Sequence, residues 1–220
     1  MPTLTQQDAV SVLDLGDDEN LFSFEWLDAV NGHLDTVTAG SAPVALATVG
    51  GGKFYSNGLD LAWLTSHAEE AGKYVTAVQE LLARVLSLPV PTVAVVNGHA
   101  FGAGAMLAMA HDFRVMRTDR GYFCFPEADI NIPFTPGMAA LIQSKLTPAA
   151  AVASMTTGRR FGGPQAREVG LVDATADLAA LLGTAVEMVG SLAGKDRGTL
   201  GAIKATMFAP ALAALRTTSA

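Results

Sequence analysis

The spacing of apolar residues changes from segment to segment along this chain, and each spacing predicts an element. Ala9–Leu15 (AVSVLDL) alternates apolar and polar positions, the period of a half-buried strand, and the charged GDDEN after it reads as a turn. Leu27, Val30, Leu34 and Val37 then recur at helical spacing, with Ser23 placed as N-cap. Pro43–Val49 (PVALATV) is a nearly unbroken apolar run ending in Gly50-Gly51-Gly52, which predicts a buried strand feeding a loop. Val75, Val78, Leu82 and Val85 predict a second amphipathic helix, closed by Pro89 and Pro91. Pro91–Val96 reads as a third buried strand and Phe113–Arg117 as a further short one. Between them, NGHAFGAG (Asn97–Gly104) places three glycines where a strand passes into an Ala/Met-rich helix, a setting for close backbone approach.

This order of elements predicts an α/β architecture with right-handed crossovers. From Thr147 onward the chain becomes Ala-rich, with helical stretches around Pro148–Thr156, Pro164–Val169, Asp177–Ala193 and Leu200–Ala214 and few strand signals. The expected division is a core over residues 1–150 and a helical region over residues 151–220, packed on that core or on another subunit.

Composition narrows the class. The chain has 220 residues, of which 50% are hydrophobic and 16% charged, enough to bury a sizeable core in one domain. No charged residue lies between Arg84 and Asp112, a length that would cross a bilayer, but Pro89, Pro91, Asn97, His99 and three glycines interrupt it, so a buried strand, turn and helix are expected rather than a membrane span. MPTLTQQDAV has neither a basic nor an apolar leader region, and a single cysteine, Cys124, offers no internal disulfide, so a cytoplasmic location is expected. A net charge of −7 argues against a nucleic-acid partner.

Several familiar motifs fail on inspection. Gly50–Lys53 (GGGK) lacks the hydroxyl residue of a phosphate loop, since Phe54 follows the lysine. Gly98, Gly102 and Gly104 lie in mid-chain with no acidic residue at the ribose-reading distance, unlike a dinucleotide turn. His33, His67, His99 and His111 show no metal-ligand spacing, and Ser56 lacks the nucleophile elbow of a hydrolase.

Three segments become informative together: Phe54–Leu61 (FYSNGLDL), Asn97–Gly104 (NGHAFGAG) and Phe125–Ile130 (FPEADI). In this order and spacing they resemble the crotonase family of enoyl-CoA hydratases and isomerases, in which the corresponding segments read F-S-A-G-x-D-L, N-G-x-A-x-G-G-G and P-E. Thr157–Val172 (TGRRFGGPQAREVGLV) is similar to a further family segment. The resemblance implies a ββα superhelical core with a C-terminal helical trimerisation region, assembled as a homotrimer or a dimer of trimers. It implies an acyl-CoA thioester as substrate, with CoA part of that substrate and no metal or redox cofactor.

The family's chemistry, carried over by position, places two enolate-binding backbone N–H groups on Leu59 and Ala103. Unpaired donors at a helix start suit a developing oxyanion, independently of the resemblance. Ala103 stands where the family usually has glycine. Hydratases of the family use two glutamates; here the first position is Met106 and the second is Glu127, an arrangement that resembles the double-bond isomerases, with Glu127 as the one base. An apolar setting among Phe123, Phe125, Pro126, Ile130 and Phe134 would raise the pKa of Glu127. Ser56, Asn57, Gly58, Asp60 and Gly102 are expected around the substrate, with Asp60 holding the loop beside the CoA adenine. Trp63, Met106, Phe134, Met138 and Leu141 are candidates for the acyl pocket wall. The CoA pyrophosphate needs positive partners, for which Lys53 and Lys204 are candidates, Lys204 because the family often has a C-terminal lysine near CoA; the family's usual basic residue before its N-terminal Asn-Ala-Leu is absent, Glu19-Asn20-Leu21 standing there. The implied activity is a Δ3,Δ2-enoyl-CoA isomerase of fatty-acid degradation. An enoyl-CoA hydratase and a non-catalytic acyl-CoA-binding homologue remain the alternatives.

Overall fold

The computed structural model describes residues 1–217. In chain order the elements are β1 (Thr3–Gln7), β2 (Val10–Asp14), α1 (Phe24–Ala39), β3 (Ala45–Val49), β4 (Phe54–Ser56), α2 (Leu61–Ser66), α3 (Ala71–Leu86), β5 (Thr92–Val96), β6 (His99–Phe101), α4 (Ala103–Ala110), β7 (Phe113–Arg117) and β8 (Phe123–Cys124). They continue with α5 (Glu127–Ile130), α6 (Pro136–Lys145), α7 (Pro148–Met155), α8 (Gly163–Glu168), β9 (Ala174–Ala176), α9 (Leu178–Gly190), α10 (Arg197–Met207) and α11 (Ala209–Leu215).

The strands form two sheets. The larger has the order β1-β2-β3-β5-β7-β9, parallel except for the β1–β2 hairpin; the smaller, β4-β6-β8, is parallel throughout. Each of β3, β5 and β7 in the large sheet is followed directly by β4, β6 or β8 in the small one, so the chain winds as a coil with one strand per sheet per turn. The expected ββα superhelix is present. The GGGK segment is one corner of this coil, where the Asn97 side chain on the next turn accepts the Gly50 N–H at 3.0 Å.

The apolar runs follow from burial of the large sheet on both faces. Ala94 and Val96 of β5 face α1, α3 and α4 in one core, whereas Val93 and Val95 face α9 in another. Ser23 caps α1 by accepting the Trp26 N–H, and Leu27, Val30, Leu34 and Val37 all point inward. All eight residues of α4 are buried, and the helix, five of whose residues are Ala or Gly, packs against strands of both sheets. The region after residue 150, expected to be helical, also contributes a strand: β9 extends the large sheet beside β7, and α9 covers the second core. The uncharged stretch before Asp112 is the end of α3, then β5, β6 and α4; among the described residues no single helix is long and apolar enough to cross a membrane.

Candidate active site

Successive turns of the coil open onto one cleft of about 420 Å³. Its wall comes from the loop after β4 (Asn57, Leu59, Asp60), the β6–α4 junction (Phe101, Gly102, Ala103), the start of α5 (Pro126, Glu127), and Glu19 and Leu21. Leu61, Ala62, Ile130 and Ile132 complete the lining, and three of these apolar side chains, Leu61, Ile130 and Ile132, are exposed.

The loop after β4 is held so that one backbone donor stays free. Gly58 has φ +81, a conformation that favours glycine, and a Cβ there would stand 2.8 Å from the Ala103 nitrogen. Its N–H donates to Ser56 Oγ at 3.0 Å and its carbonyl accepts the Phe22 N–H at 2.9 Å. The Asp60 N–H donates to the Tyr74 hydroxyl at 2.9 Å. Between these held groups, the Leu59 N–H has no acceptor among the described residues.

The second donor comes from the next turn. Gly102 caps α4 with φ +51, and the first intrahelical bond of α4 is Met106 N–H to the Gly102 carbonyl, which leaves the Ala103 N–H unpaired among the described residues. Ala103 itself is not among the residues with positive φ, so the side chain that replaces the family glycine brings no backbone strain. The close approach of Gly58 to Ala103 and Gly104 sets both free N–H groups on one wall, with the positive end of α4 behind them.

Glu127 supplies the third turn's contribution. It is 9% exposed, its Oε2 has no hydrogen-bond partner, and its Oε1 lies 3.5 Å from where a Cβ on Gly102 would be. Burial pushes its pKa up to about 7, opposed by a hydrogen bond from its own N–H. The site therefore faces two unpaired N–H donors with a carboxyl group whose proton is exchangeable near neutral pH.

Most of the predicted site residues meet here: Leu59, Ala103, Glu127, Asn57, Asp60 and Gly102 line the cleft, and Gly58 lies directly behind it. Asp60 caps α2, its Oδ1 accepting the Trp63 N–H at 2.9 Å. Four expectations are corrected. Ser56 is fully buried and bonds only protein, donating to the Asn20 carbonyl at 2.8 Å and accepting from Gly58; it shapes the loop rather than meeting substrate. Met106 is 1% exposed within the core on α4 and does not line the cleft. Phe134 packs edge-on against Phe125, also outside the lining. Lys204 is buried, its ammonium donating to Asp112 Oδ2 at 2.6 Å and to the Val90 carbonyl at 2.8 Å, so it holds α10 to the core.

The other phosphate candidate, Lys53, lies over the Phe54 ring beside the Gly50–Gly52 corner, outside the cleft. Met138 and Leu141 are core residues, and Trp63 packs with Phe24 and Tyr74. Two residues that sequence reasoning missed shape the site. Asn20, at φ +49, donates through Nδ2 to the Gly16 and Tyr55 carbonyls, both at 3.0 Å, and so fastens the Glu19–Leu21 segment to β4. Its signal was an asparagine after a charged turn, a residue type that tolerates the left-handed region. Tyr74 left no such signal beyond its place on an amphipathic helix.

Comparison with known proteins agrees with this geometry. The family model described as enoyl-CoA hydratase/isomerase matches residues 6–220. Enoyl-CoA delta isomerase 3 of Arabidopsis thaliana is 36% identical over 183 residues, covering 80% of this chain and 77% of the relative. The peroxisomal enoyl-CoA delta isomerase 2 of the same plant is 34% identical, covering 80% and 77%. A crystal structure of a probable enoyl-CoA hydratase from Mycobacterium tuberculosis H37Rv superposes with a TM-score of 0.91 at 27% identity, covering 99% of this chain and 92% of that one.

Proposed function

The chain belongs to the enoyl-CoA hydratase/isomerase family, and we propose that within it the chain acts as a Δ3,Δ2-enoyl-CoA isomerase on an acyl-CoA thioester. The observation that carries this reading is one buried carboxyl group with a free oxygen, facing two unpaired backbone N–H groups. The names of the Arabidopsis thaliana relatives point the same way.

With the thioester oxygen between the Leu59 and Ala103 N–H groups, Glu127 removes a proton from C2 of a 3-enoyl thioester. The electron pair delocalises into a dienolate whose oxyanion the two donors stabilise, and the same carboxyl returns the proton at C4, leaving a 2-enoyl thioester. One proton is moved and none is lost, so the step needs no water, metal or redox group. Hydration would require a second water-activating carboxylate; the position where the family's hydratases carry it is Met106, buried in the core. Ile130 and Ile132 are exposed in the cleft lining, which favours a route for the acyl tail over them. Exposed Ile203 and Met207 on α10 support assembly with further copies through the C-terminal helices.

The test is a parallel assay of isomerisation with 3-enoyl-CoA and hydration with 2-enoyl-CoA. The expected result is isomerisation that depends on Glu127, with negligible hydration. Dominant hydration, or turnover of neither, would replace the reading with a hydratase or a binding protein.

A further inference from the structure

We infer that Tyr74 is a positioning residue for the reaction: its hydroxyl holds the N–H of Asp60 and thereby aims the N–H of Leu59 at the substrate oxygen. The inference rests on the isomerase reading above and goes beyond the groups that touch substrate. Three consecutive peptide planes meet at this loop. The plane ending in the Gly58 N–H is held by Ser56 Oγ at 3.0 Å, and the plane containing the Leu59 N–H is held through the Gly58 carbonyl by the Phe22 N–H at 2.9 Å. Among the described residues, the plane ending in the Asp60 N–H is held only by Tyr74, at 2.9 Å.

Planarity makes these restraints additive, because each plane fixed leaves its neighbours only two soft torsions. Removal of the Tyr74 hydroxyl would free the Asp60 N–H beside the Leu59 N–H as a competing donor, with a different direction. The tyrosine is built to hold still. It is 1% exposed on α3, and its ring packs against Phe24 at 5.6 Å and Trp63 at 5.2 Å, so the hydroxyl is fixed from outside the loop. Burial also pushes its pKa up to about 12, which keeps it a neutral phenol across the working range.

The experiment compares Tyr74→Phe with Phe24→Leu, which loosens the same aromatic group but keeps the hydrogen bond. Three quantities are read: kcat and KM on 3-enoyl-CoA, the enolised fraction of bound 3-oxoacyl-CoA by its near-ultraviolet absorbance, and hydrogen exchange at the Asp60 amide. Tyr74→Phe is expected to lower kcat about 10-fold with KM within about twofold, to reduce the enolised fraction, and to speed Asp60 exchange, a milder effect than outright loss of an oxyanion donor. Phe24→Leu is expected to lower thermal stability while leaving the enolised fraction unchanged. An unchanged kcat and enolised fraction in Tyr74→Phe would overturn the inference, as would an equal loss of both in Phe24→Leu, which would assign the effect to packing. A wild-type protein that enolises the bound ligand but isomerises nothing would strike the isomerase reading alone.

Discussion

The catalytic cleft and the groove beneath α10 are both lined with buried ionisable groups, yet they treat those groups in opposite ways. The groove, at about 610 Å³, is the larger and carries three lysines, Lys145, Lys195 and Lys204. Its buried charges are satisfied: Lys204 pairs with Asp112, and the Lys145 ammonium donates to the His111 carbonyl at 3.0 Å and lies over the Phe208 ring. The cleft, at about 420 Å³, instead leaves Glu127 Oε2 and two backbone N–H groups without partners. Among the described residues, the other buried side-chain atoms without partners are Asn20 Oδ1 and His99 Nδ1; neither residue lines the cleft, although their chain neighbours Glu19, Leu21 and Phe101 do. Unspent hydrogen-bonding capacity separates a site from a structural groove where size and charge do not.

The largest expected effect is at Glu127. Glu127→Gln should lower isomerisation by about 10²–10⁴-fold in a steady-state assay. The same variant should be more stable at pH 8. The folded pKa of about 7 lies above the ordinary glutamate value of 4.5, so the ionised carboxylate destabilises the native state increasingly as pH rises from 4.5 to 7. Its removal should stabilise the fold by up to about 3 kcal/mol at pH 8, readable as a higher melting temperature. A variant that is inactive but no more stable would mean that the carboxylate has a partner after all.

Gly58→Ala comes next. It would place a side chain at φ +81 and 2.8 Å from the Ala103 nitrogen, so a loss of about 10²–10³-fold in kcat, comparable to loss of one oxyanion donor, is expected with the fold retained by circular dichroism. Lys204→Met probes the other region. It should lower unfolding free energy by about 3 kcal/mol in a denaturant titration, because Asp112 loses its ammonium partner and keeps only the Thr92 N–H among the described residues, while KM for the CoA thioester stays within about twofold. A large rise in KM at unchanged stability would return Lys204 to the phosphates.

The pH profile sharpens the comparison further. Glu127 must be ionised to act as base, so kcat/KM should rise with pH through about 7 and level above it, in Lys204→Met as in the parent chain. The smallest effect is Met106→Leu, a volume-conserving change in the core, for which kcat should stay within about threefold.

Legibility in the sequence followed the length and burial of each element. β3 and β5 were readable because strands buried on both faces leave nearly continuous apolar runs. The strands of the small sheet span two or three residues, too short for any period, so the second sheet was visible only through family resemblance. β9 was missed for the same reason, being three half-buried small residues. At the site, Glu127 was reached through the resemblance of FPEADI to the family's P-E segment, and its aromatic and proline neighbours then implied a raised pKa. Lys204 was carried over from the family's C-terminal lysine near CoA; the partner that buries it here, Asp112, is 92 residues away and leaves no local signal. Met106 was read as a wall because neighbours in sequence are easily taken for neighbours in the cleft, whereas α4 turns it into the core.

The two donors are main-chain atoms, and this has a consequence for any survey of mutational tolerance. In a saturation library scored for activity, Leu59 would admit many replacements, since every residue except proline brings the same N–H. Intolerance would fall one position earlier, on Gly58, whose conformation and clearance admit no side chain. A reader of such a map would find the catalytic function of Leu59 recorded under its neighbour's name.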